Sequence, residues 1–267
     1  MIAMPKTVVF ILSHNYSGST WLSLVLGSHS QAFYLGELNK IYSKKDFRPC
    51  ALCTSLGRPC PYLHEVRQIH ASEIHGFLLE RVGKPVLVDN SKRVKWNARV
   101  LNDPSYQHKY VHLIKDPRAI YYSLSIRNRA EEFDKWIDRN AEIAAFIAEN
   151  NLDAYRMSYD ELAVNTEEAL IRLNTWLGLI YEPEQKEYWR FEHHGPGENG
   201  ATSAFLQNSR ASDQNFYSNH RQTAFADRRW QEHLDPATLR AITENDEVQN
   251  VLAELRMQMT ETGLRRV

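Results

Sequence analysis

Several short stretches gather the residue types that handle anions, protons and metals. Ser17-Gly18-Ser19-Thr20 lies between an apolar run, Thr7 to Leu12, and the helix-like WLSLVLGSH. Hydroxyls and free backbone N–H groups at such a strand-to-helix turn bind an anion, helped by the helix dipole. An ordinary capped helix uses the same residues. The turn is not a Walker A loop, because Gly18 is followed by Ser19 where a lysine is required, and not a GxGxxG loop, because Gly18 stands alone. Lys115-Asp116-Pro117-Arg118, with Ser123 eight residues beyond Lys115, offers a second set of phosphate donors. In the plainer reading, Lys115 and Arg118 are solvated charges and Asp116 caps a helix that starts at Pro117.

Glu37, between Gly36 and Leu38, is a candidate general base, or else a capping residue paired with Lys40. Asp89-Asn90-Ser91-Lys92 brings a carboxylate and an ammonium together, and His14 is either a hydrogen-bond donor at the first turn or a structural histidine. Cys50-x2-Cys53-x6-Cys60-x3-His64 collects four soft ligands that suit a closed tetrahedral zinc site. Three packed thiols in a reducing compartment account for the same cysteines. His193-His194 reads as a packed turn, since adjacent histidines seldom both chelate.

The elements that must position these residues follow from hydrophobic patterning. TVVFIL (Thr7 to Leu12) is an unbroken run of the kind buried on both faces of a sheet. Ala32 to Leu35, Val86 to Val88, Tyr110 to Ile114 and Ala154 to Ser158 read as further strands. Helical spacing covers Glu65 to Arg81, Val94 to Leu101, Glu131 to Asn150, Thr166 to Leu177, Asp227 to Leu234 and Pro236 to Met259, while 42–64 reads as an irregular excursion. Repeated strand, polar turn and helix predict an α/β fold, a three-layer open sheet that is mostly parallel, with its ligand beyond the carboxyl ends of the strands. Ser13 to Thr20, Glu37, Asp89 to Lys92 and Lys115 to Arg118 all stand at such ends.

With 267 residues, 43% of them hydrophobic, the chain is expected to form one domain over 1–267. Its 32 basic and 33 acidic residues leave a net charge of -1, which argues against a broad nucleic-acid face. The first apolar run is too short for a signal peptide, and no stretch approaches the roughly 18 apolar residues of a membrane span. Three cysteines are too few for a disulfide framework. The expectation is a cytoplasmic protein with no stable membrane insertion and no nucleic-acid partner; nothing in the sequence specifies an oligomeric state.

Tyr16 to His29 (YSGSTWLSLVLGSH) resembles the 5'-phosphosulfate loop of the sulfotransferases that use 3'-phosphoadenosine 5'-phosphosulfate, PAPS, and Leu113 to Ser123 (LIKDPRAIYYS) resembles their 3'-phosphate motif. Phe33 to Leu38 (FYLGEL) and Val86 to Lys92 (VLVDNSK) are similar to segments of bacterial and carbohydrate-type members, and SYDEL (Ser158 to Leu162) is similar to their strand-to-helix junction. Trp189 to Gly200 with DRRW (Asp227 to Trp230) looks like the C-terminal loop that closes over the nucleotide, a lid at about 192–225 that would include the histidine pair. The resemblance implies a P-loop nucleoside triphosphate hydrolase-like sulfotransferase fold with PAPS as cosubstrate. It sets Tyr16, Ser17, Gly18, Ser19, Thr20 and Trp21 around the 5'-phosphosulfate, Lys115 and Ser123 on the 3'-phosphate with Arg118 at the helix start, and Tyr159 near the adenosine.

Sulfuryl transfer needs donors where leaving-group charge develops and a base at the acceptor hydroxyl. The basic residue that commonly precedes the family's first loop is Tyr16 here, and the arginine that opens its 3' motif is Lys115. Lys92 is therefore expected to supply the missing cation. Glu37, which matches the family's Gly-Glu acid, is expected to take the proton of a small-molecule hydroxyl acceptor, with Asp89 and His14 in reserve. A kinase on the same fold is the alternative, opposed by the missing Walker lysine and the lack of a magnesium-site pattern. An inactive nucleotide-binding scaffold is another, opposed by Glu37, Lys92 and Ser123.

Overall fold

Apolar runs with no polar face to offer water become strands covered on both sides. β1 (Thr7–Ser13) and β2 (Ala32–Gly36) are buried at every residue, and β3 (Val86–Lys92) at all but its last. With β4 (Gln107–Ile114) and β5 (Ala154–Ser158) they form a five-stranded sheet of order β2-β3-β1-β4-β5, in which β3 lies parallel to both β1 and β2. The chain leaves central β1 for one edge and returns for the other, so the turn after β1 stands at a topological switch point. This computed structural model describes residues 4–196 and 226–267. Residues 197–225 of the expected lid lie outside the described residues.

Two compact units emerge, the first drawn from 1–12, 19–110 and 180–223, the second from 13–18, 111–179 and 224–267. In the first, α1 (Ser19–Gly27) packs on β2 and β3. The excursion at 42–64 is not wholly irregular, since it holds a short helix, α2 (Ala51–Ser55). The helix expected over Glu65 to Arg81 is broken. Glu65 takes a left-handed conformation and Ile69 an extended one around a single 3-10 turn, so the continuous helix, α3, is Ile74–Val82. α4 is only Val94–Asn97.

β3 does not stop at Val88. It continues through Asp89, Asn90 and Ser91, all buried, to Lys92. Its register against β1 slips on the way, with Phe10 opposite Asp89 but Leu12 opposite Lys92. The bulge ends at Lys92 with φ 62, and a bulge of this kind re-aims the side chain that follows it.

In the second unit Asp116 caps α5 (Pro117–Ser125), accepting from Arg118 N, with Pro117 at the first helical position. α6 (Asp134–Glu149) buries Trp136 and Ile137 in a core with Val248, Leu252, Leu255, Met257 and Leu264. α7 (Tyr159–Val164) and α8 (Thr166–Leu177) follow β5. After α9 (Arg229–His233), the single helix expected over Pro236 to Met259 is instead α10 (Pro236–Thr243), α11 (Asp246–Glu254) and a hairpin of β6 (Met257–Thr260) with β7 (Gly263–Arg266). Asn245 breaks the run by capping α11 through Val248 N, and Arg256 ends it with φ 54.

That hairpin covers the junction of β5 and α7. Ser158 Oγ donates to Leu264 O, and Gly263 lies against the Asp160 side chain. Burial, reinforced by the charge of Asp116, raises the pKa of Asp160 to about 7. An acid whose pKa is raised on folding holds its proton in the folded chain over a range where the unfolded chain has released it. Its ionisation therefore opposes folding increasingly from about pH 4 up to about pH 7, and stability falls as pH rises across that window. Asp160→Asn is expected to flatten this slope in urea unfolding followed from pH 4 to 8.

Candidate functional site

The second unit concentrates the groups that can hold an anion. Tyr16 and Gly18 both have positive φ, 66 and 81, which turns the backbone sharply before α1. A Cβ at position 18 would stand 2.4 Å from the Tyr159 ring, so only glycine fits there. Among the described residues, the buried hydroxyls of Ser13 and Ser17 meet no hydrogen-bond partner. A buried donor left in this way carries a desolvation cost that an anionic ligand would relieve. His14 is buried beside them.

Tyr159 presents its ring to a second group as well. Lys115 Nζ, at the end of β4, lies 4.7 Å from the ring centroid and donates to Asp227 Oδ2 at 2.7 Å. Asp227 also accepts from Arg229 Nε and Nη2, at 2.7 and 2.9 Å. Burial alone would raise the Asp227 pKa, but the Arg229 hydrogen bonds and the Lys115 charge outweigh it and hold the value at about 2. Arg118 is drawn inward: Nε and Nη2 bond the Asp116 carboxylate, Nη2 also reaches Thr260 O at 2.6 Å, and the guanidinium lies 4.0 Å from the centroid of the Trp230 ring. It thus secures the start of α5. Ser123 is buried on that helix, and its carbonyl accepts from Arg127 Nη1.

Two cations that the sequence pattern does not single out stand at Tyr16. Arg127 lies 4.8 Å from the Tyr16 ring centroid, and Arg129 Nη1 donates to its hydroxyl at 2.9 Å. Both follow α5 in the segment IRNRA, and the only signal was their proximity in sequence to the 3' motif. Asp227 lies in the DRRW segment, whose pattern alone gives it no partner.

The first unit holds the candidates for handling a proton, Glu37 and Lys92. Lys92 Nζ donates to Glu37 Oε1 at 2.5 Å, the two side chains being 13% and 19% exposed, and Lys40 stands 4.0 Å from Oε2. The bulge in β3 thus joins two residues that were expected at separate strand ends. Thr20 Oγ1, at the start of α1, accepts from Asn90 Nδ2 at 3.5 Å; Ser19 is buried there and Trp21 is half-buried. Asp89, a reserve candidate for the base, is fully engaged. His75 Nε2 lies 2.7 Å from Oδ2, Trp96 Nε1 donates to Oδ2 at 3.0 Å, and Ser91 bonds Oδ1 through N and Oγ.

The cysteine cluster also lies in this unit, with a corrected fourth member. His64 points away, its side chain 53% exposed and 3.5 Å from Glu65. His194 takes its place, Nδ1 lying 3.9, 3.4 and 3.7 Å from Sγ of Cys50, Cys53 and Cys60. His193, whose pKa burial lowers to about 4, hydrogen-bonds Tyr188 O instead. One member of the histidine pair joins the cluster and the other packs, as the opposite directions of neighbouring side chains require.

No family model matches the sequence, and no curated protein matches it. Solved structures do. The chain is similar to the sulfotransferase domain from the curacin biosynthetic pathway, with a TM-score of 0.64 and 20% identity over 97% of this chain and 100% of that one. It is similar also to the sulfotransferase domain from the Synechococcus PCC 7002 olefin synthase, with a TM-score of 0.62 and 15% identity over 96% of each. The α/β fold is that of these domains. Among the described residues, no helix is long and apolar enough to cross a membrane.

Asp89 and Glu37 differ in what they hold, and unfolding experiments should separate them. Asp89→Asn leaves His75, Trp96 or Ser91 without its acceptor in a buried site and is expected to cost about 3 kcal/mol in urea unfolding. Glu37→Gln, at a partly solvated ion pair, should change stability by no more than about 1 kcal/mol.

Proposed function

We propose that the protein transfers a sulfuryl group from PAPS to the hydroxyl of a small-molecule acceptor, releasing a sulfate ester and adenosine 3',5'-bisphosphate. The reading is supported above all by the buried donors in the second unit. A positive-φ turn whose Ser13 and Ser17 hydroxyls have no partner among the described residues shares the Tyr159 ring with a buried lysine, and the fold is that of sulfotransferase domains. A kinase would need a lysine in the first turn, where this chain has Ser19.

In this reading Ser17, Gly18, Ser19 and Thr20 hold the 5'-phosphosulfate, with Arg127 and Arg129 supplying the positive charge that Tyr16 lacks. Lys115 and Ser123 bind the 3'-phosphate and Tyr159 the adenosine. Glu37 accepts the acceptor's hydroxyl proton as the acceptor oxygen forms its bond to sulfur. The bond from sulfur to the bridging phosphate oxygen breaks, its electron pair stays on that oxygen, and Lys92 offsets the charge. The Lys92–Glu37 pair makes the two roles interdependent: as Glu37 takes up a proton it loses its hold on Lys92, which frees the ammonium for the leaving oxygen.

Calorimetry tests the nucleotide. The 3',5'-bisphosphate should bind more tightly than AMP, and equal affinities would overturn the reading. Lys115→Ala should remove roughly 1.5 to 3 kcal/mol of bisphosphate affinity and leave AMP almost unchanged.

Turnover of radiolabelled PAPS against a panel of hydroxyl acceptors tests the chemistry. Glu37→Gln is expected to lower kcat by about 100-fold and remove the acidic limb of the pH profile, with bisphosphate affinity retained. Near-normal turnover with an intact acidic limb would take the base role away from Glu37.

A further inference from the structure

Three thiols and one imidazole meet in a segment with little core of its own. The donor atoms of Cys50, Cys53, Cys60 and His194 all lie within 4.8 Å of one another, and all four residues are buried. Hydrogen bonding does not explain the arrangement. One ring nitrogen offers one proton or one lone pair, yet three sulfurs stand 3.4 to 3.9 Å from His194 Nδ1. Ligands at the corners of a zinc tetrahedron, with Zn–S about 2.3 Å and Zn–N about 2.05 Å, would place each sulfur about 3.6 Å from the nitrogen. The observed separations scatter around that value.

We infer that Cys50, Cys53, Cys60 and His194 form a structural zinc site. Three thiolates and an imidazole complete a tetrahedron and leave no open position for substrate, so the role is architectural and independent of the sulfuryl transfer proposed above. On binding, the three thiols release their protons to solvent and each sulfur keeps its electron pair for the metal.

The surroundings suit such a site. His194 Nε2, the nitrogen turned away from the sulfurs, lies 3.4 Å from Glu192, an arrangement in which a carboxylate fixes the orientation of a ligating imidazole. The ring lies parallel to Phe33 of β2 and edge-on to Tyr62 of the excursion. Leu63 N donates to Cys60 Sγ at 3.3 Å, as suits a sulfur carrying negative charge.

The metal would close loops of 134 to 144 residues, joining the excursion to the strand of chain at His194. Ala51 N already donates to Gly195 O, and Cys50 bridges to Pro196. Cross-links that close long loops remove the most freedom from the unfolded chain. Here the zinc would fix the excursion next to β2, the strand that leads directly to Glu37.

The test uses the full chain, produced with zinc in the medium and purified without chelators or metal-affinity resin. Elemental analysis and native mass spectrometry should give one zinc per chain. Protein produced with cobalt in place of zinc should show the intense visible bands of a tetrahedral cobalt site and a thiolate charge-transfer band, a signature that depends on no variant folding. His194→Ala should lose at least nine-tenths of the metal, whereas His64→Ala should keep all of it. Metal-free protein in which the three cysteines alkylate freely or pair as a disulfide, with no cobalt bands, would overturn the site. Metal lost in His64→Ala and kept in His194→Ala would overturn its ligand set. None of these measurements requires turnover, so the outcome stands apart from that of the activity assays.

Discussion

A carboxylate removed from water must have all its lone pairs answered, and Asp89 shows how much structure that demand can organise. It interrupts the apolar run of β3 at a fully buried position. His75 from α3, Trp96 from α4 and the Ser91 backbone and hydroxyl converge on its two oxygens. Because Ser91 is held back toward Asp89, the strand bulges, and Lys92 leaves it in a left-handed conformation with its ammonium on Glu37. The Lys92–Glu37 pair of the first unit thus depends on a neighbouring acid whose own oxygens are taken up by His75, Trp96 and Ser91.

The second unit obeys the same rule with other partners. Asp116 is answered by Arg118, Asp227 by Lys115 and Arg229, and Asp160 by the Asp116 N–H with a shifted protonation equilibrium. The hydroxyls of Ser13 and Ser17 are the contrast, buried in the same unit with no hydrogen-bond partner among the described residues. Where a protein leaves donors unmatched among carefully matched neighbours, a ligand supplies the simplest account of the difference.

What could be read from the sequence was local. The apolar runs announced the sheet because a strand covered on both faces needs no other partner to be recognised, and β5 and α8 begin and end where patterning places them. Asp116 and Pro117 signalled the start of α5 because capping involves neighbours in the chain. Long-range choices left no such trace. His64 had the spacing of a ligand, but the fourth partner of the cysteines is 134 residues or more away, and only the folded chain brings it close. The start of β6, Met257 to Met259, hid at the end of a helical pattern, and the left-handed turn at Arg256 separates it from α11. Arg127 and Arg129 were overlooked for a related reason: a guanidinium reaches far enough that its target cannot be guessed from its position.

The Lys115–Asp227 pair has one more consequence. An ammonium exposed in a pocket would attract chloride, sulfate or any passing metabolite acid, but this one is already matched by a resident carboxylate 2.7 Å away. Under the proposed reading an incoming anion would have to substitute for Asp227 rather than fill a vacancy, an exchange from which a monovalent ion would gain little. A doubly charged phosphate fixed to a larger molecule brings the additional contacts that such a substitution requires. If Lys115 takes a phosphate as proposed, Asp227 is a placeholder that sets an energetic threshold, sorting ligands by how much they gain and not by shape alone.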